Sequence, residues 1–217
     1  MTAVADVLGA LAGVRDPELD QSLVELGFVA GVDVEGDAVA VRLRLPTYFC
    51  APNFAFLMVA DARAAVAALP GVGSVRIELA DHFSAEEINA AVERGDGFVD
   101  AFPAQAADEL DELRTLFARK ALMARQGRLL AGAADPSSLT LGELEGPDAE
   151  RCRELRRELE IDAGADAPAF VTGEGRPVTS ADVPRFRRLA RLISMSVEGN
   201  AGVCRGLLKT RYEEVAA

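Results

Sequence analysis

Thr47-Tyr48-Phe49-Cys50-Ala51-Pro52 places a cysteine between two runs of different period. Residues 38–45 alternate apolar and polar as a half-buried strand does, and residues 53–69 form a long, Ala-rich run free of Gly and Pro, as a helix should. A thiol just ahead of a helix N-terminus meets unpaired N–H groups and the positive end of the helix dipole. The sequence therefore predicts a lowered pKa and a populated thiolate, the form that binds metal or attacks carbon. Burial is the competing expectation, because free cysteine is among the residues most often found inside. His82 is the only histidine and follows a third apolar run, residues 74–79. If that run lies parallel to residues 38–45, His82 emerges on the same side of the sheet as Cys50. There, beside Asp81, it could ligate a metal or act as a base for the thiol. Asp16 and Glu18 are candidate hard metal ligands, although Asp16-Pro17 is equally a turn whose carboxylate caps local N–H groups. Cys204 lies in Gly199-Asn200-Ala201-Gly202-Val203-Cys204-Arg205-Gly206, where the glycines predict a helix break or a close backbone approach, and Arg205 could stabilise a thiolate. Cys152, between Arg151 and Arg153 on a charged run, is read as incidental.

The elements that must hold these residues follow from periodicity. Residues 3–14 carry Val4, Val7, Leu8 and Leu11 on one side of a helix that stops at Asp16-Pro17. Residues 28–34, the turn Glu35-Gly36-Asp37 and residues 38–45 predict a β-hairpin. The helix after Cys50 ends at Leu69-Pro70-Gly71, and its length favours a parallel crossover into the strand at 74–79. Ser84 followed by Glu87 predicts a capped helix over 85–94, closed by Gly95-Asp96-Gly97. Residues 104–130, with apolar groups at three- and four-residue steps, predict an amphipathic helix. Residues 147–161 read as a charged helix, 169–172 as a brief extended segment, and the last helix starts near Ser180. The fold class is α+β. An α-β-β-α-β two-layer domain over residues 1–95 is followed by a mainly α-helical extension over 104–217.

Composition narrows the functions available. A chain of 217 residues with a formal net charge of −12 repels polyanions, which argues against non-specific nucleic-acid binding. A basic stripe from Arg185 to Arg211 is expected to be a solvated face or a partner for the acidic half. No apolar stretch is long enough to span a bilayer, and the N-terminus lacks the pattern of a secretory leader, so the cytoplasm is the expected location. Three widely spaced cysteines make neither a disulfide framework nor a closed metal cage.

The first ninety or so residues resemble the PaaD/SufT-like iron-sulfur cluster assembly family. The likeness rests on Asp16-Pro17-Glu18 after the first helix, Glu25-Leu26-Gly27-Phe28-Val29 entering the first strand, Leu45-Pro46-Thr47-Tyr48-Phe49-Cys50 at the cysteine turn, and Leu69-Pro70-Gly71-Val72 before the third strand. Two features depart from it: Cys50-Ala51-Pro52 replaces the usual Cys-Pro, and Asp81-His82-Phe83 replaces a Trp-containing segment. The later half, with its ending from Ser196 to Leu208, looks like longer members encoded beside bacterial multicomponent di-iron monooxygenases. The resemblance implies an assembly or maturation factor rather than an enzyme, with Cys50, Thr47 and Asp16 at a site for iron or an iron-sulfur cluster bound in transit. It also implies a client metalloprotein, such as a monooxygenase subunit, as partner. Thiolates suit iron-sulfur clusters, but ligation normally takes four protein donors. A cluster on Cys50 would be shared across a homodimer, completed by Cys204 or His82, or finished by a partner's ligands. Two rivals remain: a thiol enzyme with Cys50 as nucleophile and His82 as base, and a metal-free adaptor for a client apoprotein.

Overall fold

The computed structural model describes residues 2–104, 110–130 and 136–212. It divides into two compact units, one comprising Met1–Asp111 with Ala201–Ala217, the other Glu112–Asn200. The final turns of the last helix thus belong with the N-terminal unit rather than with the helical extension expected from residue 104 onward.

The first unit begins with α1 (Val4–Ala12), which buries Val7 and Leu11. Two short strands follow, β1 (Arg15–Asp16) and β2 (Gln21–Ser22), paired antiparallel where the sequence suggested only a turn. The predicted hairpin is β3 (Val29–Glu35) and β4 (Ala38–Arg44), turned at Gly36, whose φ of 64° suits glycine. Helix α2 (Pro52–Ala67) starts with proline in its first turn, where the missing N–H costs nothing, and crosses to β5 (Ser74–Ala80). β4 and β5 are parallel, in register from Ala38↔Ser74 to Arg44↔Ala80, as the crossover length predicted. Their C-terminal ends therefore lie side by side.

Alternation along β4 sends Val39, Val41 and Leu43 into the core and leaves Ala40 and Arg42 exposed. The buried side chains meet the inner face of α2, including Ala55, Met58, Val59, Ala62 and Val66. Burying an aliphatic side chain of this size is worth about 1.5–3 kcal/mol, so this layer contact is the main term holding the sheet to its helices. α3 (Ala85–Arg94) forms where expected and ends on Gly95 at φ 79°. Its start differs from expectation, since the Ser84 side chain makes no cap. Asn89 on α3 instead accepts from the Leu79 N–H and donates to the Leu79 carbonyl, pairing with β5 as a neighbouring strand would. A short α4 (Phe98–Ala101) sets the Phe98 ring edge-to-face with Phe56 and tilted against Phe102.

The second unit contains most of α5 (Asp111–Leu129), α6 (Pro147–Glu158) and the first part of α7 (Val183–Tyr212). α5 is described from Asp111, and residues 105–109 of the run expected from 104 lie outside the described ones. Gly127 is needed because a Cβ there would fall 2.8 Å from the Ala190 carbonyl oxygen, which lets α5 and α7 approach closely. Arg156 is wholly buried, and its guanidinium donates to the carbonyls of Asp162, Pro168 and Ala169. Gln126, also buried, pairs with both the N–H and the carbonyl of Val171. Cys152 is fully buried against Leu155 and Leu122, so its role is packing, in line with its reading as incidental.

The glycine-flanked segment around Cys204 neither breaks α7 nor meets another backbone. The helix runs through it, and nothing lies within 4 Å of a Cβ placed on Gly199, Gly202 or Gly206. The sequence argument failed because glycine weakens a helix interior by only about 1 kcal/mol, too little to end one anchored on both sides.

Candidate functional site: the cysteine loop

The loop from Leu45 to Ala51 leaves β4 beside the loop from Asp81 to Ser84 that leaves β5, and backbone contacts tie the two. The Phe83 N–H donates to the Tyr48 carbonyl at 3.0 Å. His82 Nε2 lies 2.7 Å from the Cys50 carbonyl oxygen, and the Ser84 N–H donates to His82 Nδ1 at 3.2 Å. An imidazole that accepts at Nδ1 and faces a carbonyl with Nε2 is neutral, with its proton on Nε2. Burial lowers its pKa, and the nearby Arg211 pushes the same way against the hydrogen bond to Cys50. His82 therefore stands next to Cys50 as the sequence expected, but not as a metal ligand or a base. Both ring nitrogens are engaged with backbone, and the ring positions the loop.

A third clamp had no sequence signal. Arg211, at the end of α7, donates to the carbonyls of Leu45 at 3.2 Å and Asp81 at 2.6 Å, bridging the ends of the parallel strands. Its neighbour Tyr212 stacks under the Arg44 guanidinium, 4.5 Å from the ring centre. Arg211→Met should cost about 1–2 kcal/mol through the two lost bonds from a charged donor. Amide exchange should quicken at the Phe83 N–H, and unchanged protection there would show that Arg211 is not a clamp.

Cys50 is half-buried, and its thiol is pushed up to about 12. Burial is the largest cause, followed by the charges of Asp16 and Cys204, while the Ala51 N–H pulls weakly the other way. This reverses the lowered pKa expected from the helix end. Desolvation and neighbouring acids outweigh the dipole, whose influence at a helix end is typically below about 1 kcal/mol. Cys204 projects from the α7 segment of the same unit, half-buried, with its thiol raised by burial, by Asp16 and by Glu18. Asp16 is buried, its Oδ1 accepting the N–H groups of Glu18 and Leu19, so the turn-forming role is realised. Burial raises its carboxyl to about 6 despite those two bonds. Thr47 is half-buried in the same loop. The charges of Asp16 and Glu18 thus lie close enough to Cys50 and Cys204 to oppose ionisation of both thiols. Among the described residues, no three His, Cys, Asp or Glu side chains are placed to hold a metal ion by themselves.

The sequence reading also missed the setting of the thiol. Tyr48, Phe49 and Phe83 are 54, 75 and 48 % exposed around it, with the Tyr48 and Phe83 rings 6.3 Å apart. The signal was available in two adjacent loops that each carry an aromatic at the predicted strand ends.

A two-layer α+β domain with a cysteine loop at the C-terminal edge of a parallel strand pair defines the class, and comparison with known proteins gives its family. The family described as iron-sulfur cluster assembly protein matches residues 4–79, from α1 to the end of β5. The iron-sulfur cluster carrier protein of Deinococcus radiodurans is 38% identical over 72 residues, covering 33% of this chain and 20% of that protein. Its counterpart in Synechocystis is 42% identical over 73 residues, 34% of this chain and 20% of the relative. An uncharacterized protein of Methanocaldococcus jannaschii is 32% identical over 90 residues, 41% of this chain but 93% of its own length. The chain belongs to the iron-sulfur cluster assembly family through this domain. It spans about one fifth of the length of the two carrier proteins. No described helix is long and apolar enough to cross a membrane.

Proposed function

We propose that this chain is an accessory factor of iron-sulfur or iron-centre assembly that contacts its cargo through Cys50 and passes it to a client metalloprotein. The observation that carries the reading is that two thiols of one unit, Cys50 in the loop after the parallel strand and Cys204 on α7, lie near enough to each other and to Asp16 and Glu18 for these charges to act on the thiols. The two thiols resist ionisation until a cation arrives, and thiolate sulfur is a donor suited to iron in clusters. Cys50 and Cys204 serve as the chain's own sulfur donors, Asp16 and Thr47 support the loop around them, and His82 fixes its geometry. Two sulfurs do not complete a cluster, so the remaining ligands come from the recipient or from a second copy. A carrier with incomplete ligation releases its cargo more readily than a closed cage does. The client is a di-iron monooxygenase subunit, a choice that rests on the resemblance of residues 104–217 to family members found beside such enzymes.

The thiol-enzyme alternative as a Cys50–His82 pair draws no support from the geometry, because both nitrogens of His82 are bound to backbone. The adaptor alternative is separated by experiment. Anaerobic reconstitution with iron and sulfide should give the wild-type chain a visible chromophore and a Mössbauer signal. Cys50→Ala should lose most of both, and Cys204→Ala should lower the yield and hasten loss to a chelator. Equal iron retention by wild type and Cys50→Ala would overturn the proposal. A Cys50→Ala chain that still delivered full activity to its client would favour the metal-free adaptor.

A further inference from the structure

We propose that the outward face of α7 in the second unit, from Val183 to Asn200, is a docking surface for an amphipathic helix with acidic flanks, supplied by a partner protein. The helix is sided. Phe186, Ala190 and Val197 are buried, while Leu189, Leu192 and Met195 are 48, 65 and 59 % exposed. Isolated exposed leucines are ordinary, but these three occupy adjacent turns of one face. Arg185, Arg188, Leu192, Met195 and Gly199 follow one another at steps of three and four, so they line up along the same ridge, and all five are exposed. Gly199 has nothing within 4 Å of a Cβ position, so its weak helix propensity answers no contact inside the chain. It leaves room for another backbone to come close.

The apolar spacing sets the kind of occupant. Anchors three and four residues apart match a helix laid along a helix rather than an extended strand. The charge sets its sign. Arg185, Arg188 and Arg191 are exposed on a chain whose formal net charge is −12, so the local field opposes the global one. A parallel second copy of α7 would set arginine against arginine and an antiparallel one would set Arg191 near its own symmetry mate with only Glu198 to pair the Arg185 end, while an anionic bilayer or nucleic acid would meet the net negative charge of the rest. A protein helix carrying glutamate or aspartate beside its apolar stripe matches both features at once. This surface does not depend on the cysteine chemistry, and its failure would leave that reading untouched.

The test uses the full chain and two designed helical peptides with one leucine stripe, flanked by glutamates in one and by lysines in the other. Fluorescence anisotropy should show the glutamate peptide binding at least roughly tenfold more tightly, with affinity falling as salt rises. Leu192→Ser should weaken it by a similar factor. The double variant Arg185→Glu and Arg188→Glu should reverse the preference between the peptides. Because these side chains are exposed, circular dichroism and Tm should stay at wild-type values, which separates lost docking from lost folding. Equal binding of the two peptides, or unchanged binding by Leu192→Ser, would overturn the proposal. So would binding only to phosphatidylserine–phosphatidylcholine vesicles, or sedimentation as a dimer that Leu192→Ser dissociates.

Discussion

His82→Ala should lower the stability of the N-terminal unit by about 2–4 kcal/mol, although the residue lies in a loop. The ring is 5 % exposed and makes two bonds to backbone, with the Cys50 carbonyl and from the Ser84 N–H. Removing it takes the partner from the buried Ser84 N–H and from the part-buried Cys50 carbonyl, the buried one worth about 1–3 kcal/mol, and opens a gap beside Phe83, whose ring lies 4.9 Å away. Urea titration or a Tm shift of several degrees would register the loss. The pH dependence carries a sign. A histidine whose pKa is lowered by folding favours the neutral form, so its contribution is present above the ordinary value of 6.5 and disappears as pH falls through the lowered folded value. Wild type should therefore lose stability on acidification below about 6.5 by an increment that His82→Ala lacks. Alkylation of Cys50 should quicken in the variant, because the released loop exposes the sulfur. A stability change below about 1 kcal/mol, with unaltered thiol reactivity, would remove His82 from its positioning role.

What was legible in the sequence divides by range of interaction. The hairpin, the helix after Cys50 and the parallel return to Ser74–Ala80 were readable because period, turn residues and crossover length are local. So was the meeting of Cys50 with the loop of His82, which follows once the two strands are parallel. The short pair β1 and β2 was not, because two-residue strands carry no period. The proximity of Cys204 and Arg211 to that loop depends on where the last helix folds back, a contact across more than 120 positions that no local pattern encodes. The shift of the Cys50 thiol was misjudged for a related reason. The helix end is visible in the sequence, whereas the burial and the acids that outweigh it are assembled from α7 and from the turn at Asp16. The same assembly explains why His82 is a clamp rather than a ligand: Ser84 two residues on and the Cys50 carbonyl claim its nitrogens first.

Asp16→Asn should stabilise the chain at neutral pH, by about 1–3 kcal/mol, while weakening its hold on iron. The carboxyl is raised from 3.8 to about 6, chiefly by burial, so at pH 7 the folded chain carries a poorly solvated negative charge. A shift of about two pH units corresponds to about 3 kcal/mol, an upper figure for what neutralising the group returns. Asparagine can keep the acceptor that serves the Glu18 and Leu19 N–H groups, so the turn survives. Because the folded pKa is raised, the wild-type contribution is fully present below about 4 and is lost as pH rises through 6. This acid-range gain is opposite in sign to the loss expected from His82, and Asp16→Asn should abolish it. Asp16→Ala separates charge from geometry, since it also removes the two bonds and should end less stable than Asp16→Asn. Loss of stability in Asp16→Asn at pH 7.5 would show that the charge is compensated inside the fold. A gain in stability would instead mean that the natural chain keeps a costly carboxylate beside two thiols for no gain in folding, and under the proposed function that carboxylate serves the cargo: a buried negative charge that opposes thiolate formation in the free protein favours a metal once one arrives. Reconstituted iron content lower in Asp16→Asn than in wild type, despite the more stable fold, is the result that ties the carboxylate to the cargo.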